Sequence, residues 1–255
     1  MPNRLLPLGP LVSQVAARAA FAPLHGRTEA PRRPVVMVAG LLQTALTVAP
    51  MTWALRARGF DVTVFVPEDR GVHDINGYAA ALGRTVEAVK ERTGAARVDL
   101  VGHSEGGVTA RRYVQAAGGT DHVHTLIALG SPQQGTEGGL LSHVLRVTGA
   151  ESWSRACRQM VAGSSFLEEM NGGDPTPGDV RYVTIGTRLD GVVQPVARAA
   201  IPGAENVVLQ EVCPERLVGH FGLLQDAWVQ QAVASVLTGG APVGRRWALP
   251  VGTVV

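Results

Sequence analysis

Gly102-His103-Ser104-Glu105-Gly106 sets a serine between two glycines in a G-x-S-x-G arrangement. A serine hydroxyl is a weak nucleophile until a neighbouring base takes its proton, and it then attacks acyl carbons. Five residues are a short motif, so its setting matters. The apolar run Arg97 to Val101 precedes it and a helical pattern over 105–117 follows. A strand, a sharp turn and a helix lift the serine hydroxyl to the carboxyl end of a sheet, with Gly102 and Gly106 making room for the turn. The alternative is a glycine-rich turn with a serine capping the helix.

A nucleophile of this kind needs a histidine base and an acid to orient it, in the chain order serine, acid, histidine. Of the seven histidines, only His143 and His220 lie far enough downstream. His220 follows the last strand pattern and directly precedes the final helix, whereas His143 precedes the fifth strand. We therefore assign the base to His220. The acid is expected after a strand between Ser104 and His220, and Asp190 in Leu189-Asp190-Gly191 sits there. Asp174 and Asp179 precede that strand beside prolines, Glu211 falls within a predicted strand, and Glu205 and Glu215 read as surface charges. Two backbone N–H groups should receive the oxyanion of a tetrahedral intermediate: that of Glu105, next to the serine, and that of Leu41, after the first strand.

The elements that must carry these residues alternate. Strand patterns cover 34–40, 61–66, 97–101, 122–129, 180–185 and 206–212, and helical patterns cover 50–58, 77–92, 105–117 and a last helix marked by Leu224, Trp228, Ala232 and Val236. Such alternation predicts an α/β protein with a mostly parallel, doubly wound sheet covered on both faces. Residues 136–179 interrupt it with at least two short helical stretches, near 139–148 and 154–170, and so predict a cap insertion before the acid-bearing strand. Its apolar residues Leu140, Leu141, Val144, Leu145, Met160, Phe166, Leu167 and Met170 are candidates to line an acyl pocket, or simply to pack the core. Residues 1–33 read as an N-terminal extension, helical around Val12 to Phe21, residues 34–240 as the catalytic domain, and residues 241–255 as a tail.

Composition narrows the function. A formal net charge of +2 on 255 residues gives no reason to expect nucleic acid or an anionic surface as partner. No uninterrupted apolar stretch is long enough to cross a bilayer. No cofactor is expected, and no metal, since no His/Cys cluster has ligand spacing; His122 and His124 read as packed or solvated. Cys157 and Cys213 permit one disulfide, between the insertion and the loop before His220, or two free thiols. The apolar run Leu5 to Val12 is broken by Pro7 and Pro10 and makes a poor signal peptide, so the expectation leans to the cytoplasm with secretion as the alternative.

Taken together, Gly102 to Gly107, Gly130-Ser131-Pro132 with Gly135-Thr136, Val180-Arg181-Tyr182 leading to Asp190-Gly191-Val192-Val193 and Pro195, and Gly219-His220 with Leu223-Leu224 form a broader pattern. From about Pro34 to Val236 it resembles the small lipases and esterases of the α/β-hydrolase superfamily common in actinobacteria. The resemblance implies the α/β-hydrolase fold and a Ser104–Asp190–His220 triad. It also implies a serine carboxylic ester hydrolase acting on a small-molecule or lipid ester through an acyl-enzyme. The cysteines fall where secreted relatives often have theirs. Ala39-Gly40 departs from the His-Gly common after the first strand and removes that histidine's support of the loop. The same machinery also serves acyltransferases, thioesterases and cyclases, which is the second reading; a non-catalytic binding protein on this fold is the weakest.

Overall fold

The computed structural model describes residues 32–116, 118–137 and 154–242. The expected helices at Val12 to Phe21 and 139–148, and most of the tail, lie outside these residues, as do Leu140, Leu141, His143, Val144 and Leu145.

Six strands form one sheet: β1 (Val35–Val38), β2 (Val62–Phe65), β3 (Val98–His103), β4 (Val123–Leu129), β5 (Arg181–Gly186) and β6 (Glu205–Val208). Their order is β2-β1-β3-β4-β5-β6, and every neighbouring pair is parallel. The chain runs from β1 outward to β2, then returns to β3 on the other side and continues through β6. This reversal puts a crevice at the carboxyl ends of β1 and β3, where open parallel sheets bind ligands. β1 illustrates why such strands read as unbroken apolar runs. Val35 and Met37 enter the core on one face and Val36 and Val38 the core on the other, because successive side chains point oppositely.

The helices follow from their apolar stripes. α1 (Ala45–Arg56) and the last helix, α7 (Ala227–Leu237), cover one face; α2 (Ile75–Thr93) and α3 (Glu105–Ala116) cover the other. α1 begins five residues before the predicted start at 50. Pro50 lies inside the helix, whose buried face includes Val48, Met51, Thr52 and Leu55. The Thr44 N–H donates to Thr47 Oγ1 at 3.3 Å, which gives the helix its start. The predicted strand 206–212 is also corrected. It ends at Val208, and Leu209–Val212 is a single helical turn, α6. Its apolar residues are few enough to fit either period.

Between β4 and β5 the described part of the insertion forms α4 (Arg155–Gln159) and α5 (Ser165–Asn171). Met160, Phe166, Leu167 and Met170 are buried there with Ile75, Tyr78, Val108 and Ala156, so these four pack a core. Arg111 on α3 ties the segment down. Its buried guanidinium donates to Asn171 Oδ1 (2.8 Å), Pro175 O (3.1 Å) and Met170 O (3.3 Å), and burial pushes its pKa down to about 10. Among the described residues no helix is long and apolar enough to cross a membrane, and no three His, Cys, Asp or Glu side chains are grouped to hold a metal. Cys157 is buried and Cys213 half-buried, and no disulfide joins the two.

Candidate active site

Ser104 lies at the turn from β3 into α3 with φ 57°, in the left-handed region that costs a non-glycine residue about 1–3 kcal/mol. Surrounding contacts hold it there. Ser104 N donates to Leu129 O at 2.9 Å, which keeps the turn on the β4 ladder, and Gly107 N donates to Ser104 O at 3.0 Å as the helix begins. A Cβ on Gly102 would stand 2.5 Å from the Gly107 Cα, and one on Gly106 would collide with the Val38 carbonyl. The two glycines therefore let α3 start directly against β1 and β3.

Asp190 and His220, which are 30 residues apart in the chain, meet. His220 Nδ1 is 2.8 Å from Asp190 Oδ2, and both side chains are buried. The other carboxylate oxygen, Oδ1, accepts the backbone N–H groups of Val192 (2.7 Å) and Val193 (2.9 Å). A carboxylate held this way receives the Nδ1–H of the imidazole and leaves its Nε2 to accept a proton. The loops that carry the pair are bound to each other: Thr187 Oγ1 donates to Val218 O at 2.6 Å. Gly130 (φ 52°) closes the space beneath, since a Cβ there would lie 3.1 Å from Asp190 Oδ2 and 3.3 Å from His220 Nδ1.

The other acids weighed for the orienting role are paired elsewhere or exposed. Glu205 pairs with Arg181 (2.7 Å), Glu211 with Arg188 (2.8 Å) and Asp179 with Arg97 (3.5 Å). Asp174 accepts Thr176 N (3.0 Å), and Glu215 is exposed.

Gly40-Leu41 lies directly against the serine turn. A Cβ on Gly40 would be 2.6 Å from His103 O, 3.0 Å from Ser104 Cβ and 3.2 Å from Glu105 N. Leu42 (φ 58°) donates its N–H to Arg70 O at 2.6 Å, and no hydrogen bond among the described residues engages the Leu41 N–H. The Glu105 side chain is buried against Gly71 with neither carboxylate oxygen hydrogen-bonded, and desolvation, helped by the nearby Asp69 charge, raises its pKa well above 4.5.

Two further polar residues stand in the site, and one of them, Gln43, has no signature in the sequence. Gln43 Oε1 accepts the Gly40 N–H at 2.9 Å, and Gln43 Nε2 lies 2.6 Å from His103 Nδ1. The support that Ala39 cannot give the loop thus comes from Gln43. His103 was visible as the variable position of the serine motif. Its side-chain partners come from positions 43 and 220, and no local spacing links the three.

Solved structures of low identity share this fold. Aspergillus fumigatus lipase B is 18% identical with a TM-score of 0.72; the match covers 84% of this chain and 54% of that one, so the chain spans about half of the fungal protein. The mature Bacillus licheniformis lipase BlEst2 is 17% identical with a TM-score of 0.66, over 82% of this chain and 94% of that one. The monoacylglycerol lipase of Paleococcus ferrophilus is 15% identical with a TM-score of 0.55, over 82% and 96%. A family model described as palmitoyl protein thioesterase matches residues 34–176, from β1 through the serine turn and into the helices of the insertion. That match takes in more than half of the 255 residues, and the chain belongs to the palmitoyl protein thioesterase family of α/β-hydrolases.

Proposed function

We propose that the protein is a serine hydrolase that cleaves carboxylic esters or thioesters of apolar acyl groups through an acyl-enzyme. The observation that carries this reading is the buried hydrogen bond between His220 Nδ1 and Asp190 Oδ2, at the same sheet edge as the strained Ser104. Ser104 Oγ attacks the acyl carbon and its proton passes to His220 Nε2. The backbone N–H groups of Leu41 and Glu105 receive the oxyanion, each donor contributing about 3–4 kcal/mol of transition-state stabilisation. Collapse expels the leaving group with the proton from His220. Water then repeats the sequence, releasing the acid and restoring Ser104. Asp190 keeps the imidazole in the required tautomer and stabilises the imidazolium.

The acyl group is inferred to be apolar from the surface. Leu42, Leu189, Leu217 and Phe221 are exposed, and they sit on the loops after β1, β5 and β6 that carry Leu41, Asp190 and His220. Membership of the palmitoyl protein thioesterase family supports the thioester form of this reading. A thiol leaving group, with an ordinary pKa of about 8.5, departs with less help from a general acid than an alcohol does. The resemblance of the sequence motifs around Ser104, Asp190 and His220 to small lipases and esterases supports the oxygen-ester form. Matched long-chain acyl thioesters and oxygen esters, assayed with wild type and Ser104→Ala, decide between them. Faster thioester cleavage supports the first and faster oxygen-ester cleavage the second. No Ser104-dependent cleavage of either overturns the proposal.

A further inference from the structure

Gln43 and His103 are both buried, and their hydrogen bonds admit one assignment of protons. His103 Nε2 lies 3.0 Å from the backbone oxygen of His220, which can only accept, so Nε2 carries a proton. Gln43 Oε1 is taken by the Gly40 N–H at 2.9 Å, so the Gln43 amide nitrogen faces His103 Nδ1 at 2.6 Å and can only donate. Nδ1 must then be an unprotonated acceptor, and His103 is neutral. Burial independently pushes the His103 pKa down to about 3, with the neighbouring His220 adding to the shift, and the His220 carbonyl and the Asp190 charge opposing it.

We propose that Gln43 and His103 are positioning residues that clamp the two halves of the active site together: Gln43 fixes the Gly40-Leu41 loop and the His103 tautomer, and His103 in that tautomer fixes the backbone of His220. This rests on the reading of Ser104, Asp190 and His220 given above. The relay runs from Gly40 N–H through Gln43 and His103 to His220 O, and so spans both sides of the serine turn. It orients the donor loop and the base by one continuous set of bonds, without contact to the reacting atoms. Its neutrality has a purpose. The His103 and His220 rings are 4.7 Å apart between centroids, and a charge on His103 would oppose the imidazolium that His220 forms during the reaction. Phe221 packs beside both, with its ring 5.9 Å from His103 and 5.2 Å from His220.

The test uses the full chain, a short soluble ester or thioester, and four variants beside wild type: His103→Phe, His103→Gln, Gln43→Leu and Ser104→Ala. His103→Phe and Gln43→Leu should lower kcat by about 10²-fold with KM nearly unchanged, the loss expected from misplaced catalytic groups. His103→Gln keeps a donor for the His220 carbonyl and should recover activity to within about tenfold of wild type. Imidazole nitrogen NMR should find His103 protonated at Nε2, unprotonated at Nδ1 and not titrating between about pH 5 and 8. The proposal is overturned if His103→Phe and Gln43→Leu turn over like wild type. It is equally overturned if His103→Gln is no better than His103→Phe, or if His103 titrates in that range. If Ser104→Ala remains active, it is the underlying hydrolase reading that fails, whatever the other variants do.

Discussion

Gly40 lies so close to Ser104 that a β-carbon added to it would stand 3.0 Å from the serine Cβ and 2.6 Å from the backbone oxygen of His103. The loop after β1 is thus seated on the serine turn, with backbone on the opposing side that cannot swing away. Gly40→Ala should push Leu41 outward and lower kcat by about 10²-fold, because the oxyanion donor leaves its place. The check is kcat and KM on a short ester. Wild-type kcat in a folded Gly40→Ala protein would remove Leu41 from the oxyanion assignment.

Asp190 gives one carboxylate oxygen to two backbone N–H groups and the other to His220. Asp190→Asn keeps the size of the side chain, but an amide nitrogen facing His220 Nδ1 demands an acceptor there and so selects the wrong tautomer. We expect kcat to fall by about 10⁴-fold with the fold intact. Steady-state kinetics beside circular dichroism measure both. A loss of less than tenfold would place the orienting acid elsewhere.

The Glu105 carboxyl is buried and unpaired, and its folded-state pKa is raised well above the ordinary 4.5, first by desolvation and then by Asp69. The sign of the consequence follows from linkage. Below the unfolded value both states hold the proton. Above it the unfolded chain ionises first, so stability is lost as pH rises toward the folded value. Glu105→Gln cannot ionise, and it keeps the backbone N–H at this position. Its melting temperature relative to wild type should therefore climb steadily from about pH 4.5 upward, with hydrolysis largely retained. A difference that stays flat with pH would mean that the carboxyl is charged or solvated in the folded protein.

Much of the fold is legible in the sequence because buried parallel strands announce themselves as apolar runs such as Val35 to Val38, flanked by glycine and followed by helical periodicity. The sheet is fully parallel across the described strands, somewhat purer than the mostly parallel one expected. Some boundaries differ for physical reasons. The buried stripe of α1 starts at Val48, before the expected start at 50. The helical stretch 154–170 is two helices, Arg155–Gln159 and Ser165–Asn171. Leu209–Val212 has too few residues to reveal its period. The sequence places Asp190 and His220 by chain order alone, and the fold brings them to 2.8 Å. Gln43 was invisible because its work depends on a tertiary contact with His103, 60 residues away. Met160, Phe166, Leu167 and Met170 show the limit of a helical stripe: it announces burial without saying whether core or ligand does the burying.

The central claim is that Ser104 is an activated nucleophile. Intact-mass spectrometry after incubation with a fluorophosphonate tests it most directly, with wild type, Ser104→Ala and His220→Ala side by side. The account predicts one adduct on wild type, none on Ser104→Ala, and slow labelling of His220→Ala, with turnover by Ser104→Ala reduced by about 10⁶-fold. No adduct on folded wild type, or equal labelling of Ser104→Ala, would contradict it.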